Sequence, residues 1–293
     1  MKINDWFIGM SDNMLSEEGE VISLIPYEED DKKEFNTPDI LPILPLRNTV
    51  LFPGIVLPIS VSRERSINLV KDAYKSDKII GVVAQKSNNI DAPTIDDLYK
   101  IGTVAYIAKL LQMPDMSTTV IIQGKSRFEI EEYIQTDPYY KAKIKVLKKL
   151  KKVKQTTDFI ALIDTVKDVT QQVIRMSPNM PQESQFAIKN VENPTFLINF
   201  IASNMNLPIE EKQKILEESD IVNRANLLLT TLSKELQVLE IKNSIQNKVK
   251  LDLDKQQRDY ILNQQLKTIL EELGGSPFEQ QINEMKERAA NKK

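Results

Sequence analysis

Neither cysteine nor histidine occurs in the 293 residues of this chain. The first absence excludes disulfides, thiolate metal sites and a thiol nucleophile, and leaves the redox compartment open. The second removes the commonest general base, the commonest metal ligand and the centre of a Ser-His-Asp triad. Glycine is scarce as well: the eight residues stand at 9, 19, 54, 81, 102, 124, 274 and 275, and none begins a G-x-x-x-x-G-K-[ST] loop, so ATP hydrolysis by this chain alone is not expected. Adjacent carboxylates such as Glu210-Glu211, Glu217-Glu218 and Glu271-Glu272 point about 100° apart on a helix and read as solvated faces rather than an acid-base pair. Counting alone leaves a Ser-Lys dyad open, but no serine sits on the glycine-flanked strained turn that exposes a nucleophile. No apolar run approaches the roughly 20 residues of a membrane span, and the start of the chain lacks the basic-then-apolar pattern of a secretory signal. That start is acidic, unlike a mitochondrial presequence. The expectation is a cytoplasmic chain with no membrane partner and no positive sign of catalysis.

What is present is the composition of a soluble globular protein, with 41% hydrophobic and 28% charged residues and a formal charge of −3. The length suits two domains. Residues 1–37 carry Glu17, Glu18, Glu20 and then Glu28-Glu29-Asp30-Asp31, and read as a mobile acidic tail. From 38 to 150 the texture is β: the runs at 40–46, 55–61, 79–85, 103–113, 118–130 and 139–147 are rich in Val, Ile, Leu and Tyr, and one helix over 65–74 places Ile67, Val70 and Tyr74 on a single face. This predicts an α+β fold whose first domain is a curled antiparallel sheet. Prolines 42, 45, 53 and 58 require some of those strands to be edges, bulges or ends. From 155 to 225 the period is helical, with a stripe at Phe159, Leu162, Val166, Val169 and Val173, a shorter helix over 183–190, an Asn193-Pro194 helix start, and Asp220 as a cap for the next helix. An antiparallel bundle is expected.

Residues 226–273 read as one long helix of roughly 70 Å that should protrude from its domain. Its apolar positions Leu229, Leu232, Leu236 and Leu239, and then Leu262, Leu266, Ile269 and Leu273, alternate three and four apart and want partners, as coiled-coil pairing between subunits would supply. Gly274-Gly275 and Pro277 end it, and 274–293 begin a further linker or helix. The one strongly basic block runs from Lys141 through Lys143, Lys145, Lys148, Lys149, Lys151 and Lys152 to Lys154. Such a block fits either a nucleic-acid patch or, the stronger reading here, a lysine-lined exposed edge strand leading into a linker.

The run Leu41-Pro42-Ile43-Leu44-Pro45-Leu46-Arg47-Asn48-Thr49-Val50-Leu51-Phe52-Pro53-Gly54-Ile55-Val56-Leu57-Pro58 resembles the opening of the amino-terminal domain of Lon, the ATP-dependent protease family. Asp97–Thr103, Met113-Pro114-Asp115 and Gln123–Phe128 resemble that domain in the same order, and Gln256–Lys267 with Glu272-Leu273-Gly274 resemble its long helix. The resemblance covers about 38–290. It implies a PUA-like β domain that engages unfolded or damaged protein substrates, a long helix that helps build a homohexamer, and an ATPase and a serine protease module beyond Lys293. ATP and magnesium are then expected only for that missing module, and no cofactor or metal here.

A receptor for unfolded chains needs exposed, adaptable apolar groups. The candidates are Met113, Pro114 and Met116 at a hairpin tip, with Leu46, Phe52, Pro53 and Ile55 around the proline-rich turn. The alternative for Leu46, Phe52 and Ile55 is a place in the core beneath that turn.

Overall fold

The computed structural model describes residues 36–112, 118–148, 150, 156–177, 188–272 and 277–291. The acidic tail through Phe35, the hairpin tip Met113–Ser117, most of the expected 183–190 helix and Leu273–Ser276 therefore lie outside the described residues.

Six strands, β1 (Ile40–Leu46), β2 (Val56–Val61), β3 (Ile79–Ala84), β4 (Ile101–Gln112), β5 (Thr118–Gln135) and β6 (Lys141–Val146), form one sheet in the order β2-β5-β4-β3-β1-β6. β5 also pairs with β6, so the ladder β5-β4-β3-β1-β6 returns on itself as a closed ring, with β2 added outside it on β5. Every pairing is antiparallel except β1–β3, which is parallel. The helix between β2 and β3, α1 (Glu64–Lys75), supplies the long crossover that a parallel pair needs. β3 is buried along its whole length, as an unbroken Ile-Ile-Gly-Val-Val-Ala run predicts. One of its faces joins Leu69, Val70 and Ala73 of α1 in a cluster with Leu44, Leu46, Ile107, Val120 and Ile122. The other joins Leu41, Ile43, Phe128, Ile130, Ala142 and Ile144.

The prolines fall where the ladder can spare an N–H. In β1, Pro42 lies in the part that pairs with β6 and Pro45 in the part that pairs with β3, so neither has a partner on both sides. In β2, the Gly124 N–H donates to the Ile55 carbonyl at 2.9 Å. By alternation Leu57, Ile59 and Val61 turn their backbone groups toward β5, while Val56, Pro58 and Ser60 turn theirs to the open side. Pro58 thus gives up no ladder bond and shortens the free edge.

The helices that follow are α2 (Thr157–Met176), α3 (Pro194–Asn204), α4 (Ile209–Glu217), α5 (Ile221–Glu272) and α6 (Pro277–Ala290). Their starts are capped as the sequence asks. The Asn193 side-chain oxygen accepts from Thr195 and Phe196 N–H at 3.0 and 3.2 Å, and that of Asp220 from Val222 and Asn223 N–H at 2.9 and 3.0 Å. α3 is buried from Leu197 through Ala202. The chain divides into two compact units, one ending at Leu236 and one beginning at Gln237.

Candidate functional site

The proline-rich turn after β1 is where the barrel and the helices meet. Gly54 has φ +82°, a conformation open to glycine at little cost, and a Cβ there would stand 3.1 Å from the Phe196 ring of α3. Its N–H donates to the Gly124 carbonyl at 3.0 Å. Gly124 sits so close to the turn that a Cβ would come within 2.3 Å of the Phe52 carbonyl oxygen. Asn199 of α3 donates its side-chain amide to the Pro53 carbonyl at 3.0 Å, and the Thr103 hydroxyl to the Leu51 carbonyl at 2.6 Å.

A second seam lies at the end of α4. Arg127 of β5 donates from Nη1 to the carbonyls of Leu216, Glu217 and Glu218 at 2.8, 3.2 and 2.8 Å. Arg224 of α5 donates from Nε to the Ile215 carbonyl at 2.7 Å, from Nη2 to Leu216 at 3.0 Å and from Nη1 to the Asn199 side-chain oxygen at 3.3 Å. Gln213 adds a bond to the Ile101 carbonyl at 2.9 Å. Two guanidinium groups, 1% and 6% exposed for Arg224 and Arg127, thus complete the carbonyls that a helix C-terminus leaves without partners, at its negative dipole end. Neither makes an ion pair among the described residues. Burial pulls Arg224 down to about 9, helped by the Arg127 charge and opposed by Glu218, so it is still protonated at neutral pH. Arg127 is lowered by burial and raised by Glu218.

The expected binding residues separate against this frame. Leu46, Phe52 and Ile55 are 3%, 0% and 1% exposed, in the core beneath the turn, and have no surface to offer a ligand. They come out as packing residues, not contacts. Pro53 is half-buried, and Met113, Pro114 and Met116 lie outside the described residues. The apolar groups the sequence did not single out are on the outward side of the β2-β5-β4 ribbon: Val56, Pro58, Ile121, Tyr106 and Leu111, all half-buried, beside the open edge of β2. Alternation carries that signal, because Leu57, Ile59, Val120 and Ile122 claim the core side.

On α5, Leu232 and Leu239 are buried and Leu229 and Leu236 half-buried, so the first expected stripe has little to offer another copy. Leu262, Leu266 and Ile269 are 53%, 56% and 53% exposed, and Leu273 lies outside the described residues. A further exposed stripe, Val238, Ile241, Ile245 and Val249, faces about 100° away from Leu262, Leu266 and Ile269 around the helix.

The part of the lysine block that lies in β6 is not an edge. β6 has β1 on one side and β5 on the other, and Lys143 and Lys145 are exposed, with Lys141 half-buried, because they alternate with buried Ala142 and Ile144. Glutamates of β5 stand across from two of them: Glu131 is 3.4 Å from Lys143, and Glu129 is the register partner of Lys145, while Lys141 stands opposite Gln135. Among the described residues no three acidic side chains group to hold a metal, and no helix is long and apolar enough to cross a membrane.

A small barrel followed by helices is also the architecture of the N-terminal domain of the Lon protease of the Mycobacterium avium complex, which superposes with a TM-score of 0.54 at 18% identity over 66% of this chain and 98% of that one. The chain belongs to the family described as the substrate-binding domain of ATP-dependent protease La (LON), whose model matches residues 40–234. It is 50% identical over 94% of its length to a Lon protease of Flavobacterium johnsoniae and 47% identical over 94% to one of Cytophaga hutchinsonii. It spans 34% of each of those relatives, about a third of their length.

Proposed function

We propose that this chain is the non-catalytic receiving region of a Lon-type ATP-dependent serine protease, which binds unfolded or damaged polypeptides in the cytoplasm and couples them to an ATPase ring. The observation that carries this reading is the family match, which runs without interruption from the first strand of the barrel to the base of α5. ATP and magnesium belong, on this reading, to modules outside the chain, and the exposed stripes of α5 serve self-association into a hexamer.

Unfolded substrate presents apolar side chains and unpaired backbone. The outward face at Val56, Pro58, Tyr106, Leu111 and Ile121 offers the first kind of contact, and the open side of β2 offers the second. The hairpin tip Met113–Met116 joins β4 to β5 of the same ribbon in sequence, and its thioethers adapt to varied partners. Charge plays the smaller part, since Lys143 and Lys145 of β6 already face glutamates.

Fluorescence anisotropy of a labelled protein, native and permanently unfolded, titrated with this chain at low and high salt, tests the reading. Binding of the unfolded form alone, kept at high salt, is expected. Binding that falls steeply with salt would instead mark a phosphate-type electrostatic site, and no binding of either form would place recognition elsewhere. Replacing Met113 and Met116 by serine is expected to weaken capture about tenfold, one lost apolar anchor's worth, while the melting temperature stays within a degree or so. Unchanged capture would remove the hairpin from the site.

A further inference from the structure

β2 has β5 on one side and no strand on the other. Its side chains carry the mark of the missing neighbour. Leu57 and Ile59 pack on the core cluster while Val56 and Pro58 stand on the outward face, yet all four are only half-buried. In β3, which has a strand on each side, all 6 residues are buried. A side chain in a sheet is covered by those beside it on the next strand. A segment laid along β2 would therefore finish the cover of both rows at once.

The backbone along this side is unpaired as well. Val56, Pro58 and Ser60 face the open side, and their outward groups make no hydrogen bond among the described residues. They present a carbonyl at each position and an N–H at Val56 and Ser60, with none at Pro58. A partner must answer with its own N–H and C=O at every second residue, which is extended polypeptide. Folded proteins keep such backbone paired or covered, and unfolded ones do not. Nor does a second copy of β2 fit as a lasting occupant. The 6 residues of β2 give a contact roughly 20 Å long and roughly 10 Å thick, well below the about 800 Å² per partner of a stable interface.

We infer that unfolded substrate is captured as an added strand on the open side of β2, bonded to the backbone of Val56, Pro58 and Ser60 and packed on both faces of the strand. This mode of capture rests on the receiving role proposed above and defines the segment received. Val56 and Pro58 on one face, with Leu57 and Ile59 on the other, call for apolar side chains at consecutive positions. An amphipathic strand, apolar at every second residue only, would set its polar side chains against one of the two rows. Unbroken apolar runs of the β3 type are hidden in native proteins and exposed on unfolding. Pro58 leaves one bond of the ladder unmade, which keeps the added strand exchangeable and the edge poor at seeding aggregation.

The test titrates the whole chain into a fluorescein-labelled peptide carrying the Ile-Ile-Gly-Val-Val-Ala run of β3 between lysines, beside a labelled, permanently unfolded protein. Anisotropy is expected to show binding of both. Serine at every second position of the run should weaken peptide binding about tenfold, and methylation of its backbone nitrogens should abolish it. Pro58→Val supplies the missing N–H and keeps an apolar side chain, and is expected to tighten binding about fivefold; Ser60→Pro removes a second N–H and should loosen it about fivefold. Both changes lie on the open side of an edge strand, so melting should stay within about two degrees. If Ser60→Pro melts early, Pro58→Val and the methylated peptide decide. Equal affinity for the methylated and unmethylated peptides, equal affinity of the parent chain and Pro58→Val, or capture of the unfolded protein without the peptide would overturn strand addition and leave the receiving role standing. Failure of the parent chain to bind even the unfolded protein would overturn both.

Discussion

Arg224→Ala is expected to lower the unfolding free energy by about 4 kcal/mol. The side chain is among the largest fully buried ones in the chain, and its three hydrogen bonds go to the Ile215 and Leu216 carbonyls and to Asn199. Truncation leaves the Ile215 carbonyl and the Asn199 side-chain oxygen without this donor and the Leu216 carbonyl with Arg127 alone, which costs more than the bonds themselves contribute. The folded-state value of about 9, below the ordinary arginine value, means that the unfolded chain holds this proton more tightly. At neutral pH the buried charge therefore opposes folding by itself, and the contribution turns more favourable as pH rises through the window between those values. What offsets it is the helix C-terminus, whose carbonyls need donors in any case. Arg224→Met refills much of the volume but supplies no donor, and should fall between the parent and the alanine variant. Urea denaturation measures both. A loss below about 1 kcal/mol for alanine would mean that water replaces the guanidinium and that the α4 end is solvated.

Elements with local signatures were legible in the sequence. β1 has the expected bounds, and Asn193 and Asp220 cap α3 and α5 because their short side chains reach the first free N–H groups. The family was legible for the same reason, since the Leu41–Pro58 run holds both β1 and the turn that locks barrel to helices. Features that depend on distant partners were not. The parallel β1–β3 pair and the return of β5 onto β6 join segments far apart in sequence, and a strand's pattern does not say whom it pairs with. β6 looked like an edge because lysine alternation is the same on an edge strand and on the outer face of a barrel strand. Arg127 and Arg224 were not singled out, because a buried arginine is betrayed only by the helix end it meets. Within α5, Val238, Ile241, Ile245 and Val249 were passed over because the leucine spacing before and after them set the expected stripes.

Phe52→Ala is the change most easily mistaken for a binding defect. Phe52 stands in the run that marks the family, beside a turn rich in proline, and its loss should reduce the capture of unfolded substrate. The ring is nevertheless 0% exposed, and the residue's carbonyl accepts from the Ile55 N–H at 3.2 Å and lies against Gly124. Removing it leaves a cavity beneath the turn, and the expected cost is about 3–5 kcal/mol, transfer and cavity together. The adjoining Pro53 carbonyl would then lose its fixed distance to Asn199, so the damage reaches α3 and the seam with the helices. A binding role and a packing role separate by temperature. If Phe52 only packs, capture per folded molecule is unchanged well below the lowered melting point, and the deficit appears only as the unfolded fraction rises. The paired serine change at Met113 and Met116 should behave in the opposite way, with capture reduced at every temperature and the melting curve in place. Equal capture deficits for Phe52→Ala at low and high temperature, in protein shown to be folded, would return the ring to the binding surface and imply that the turn opens when substrate arrives.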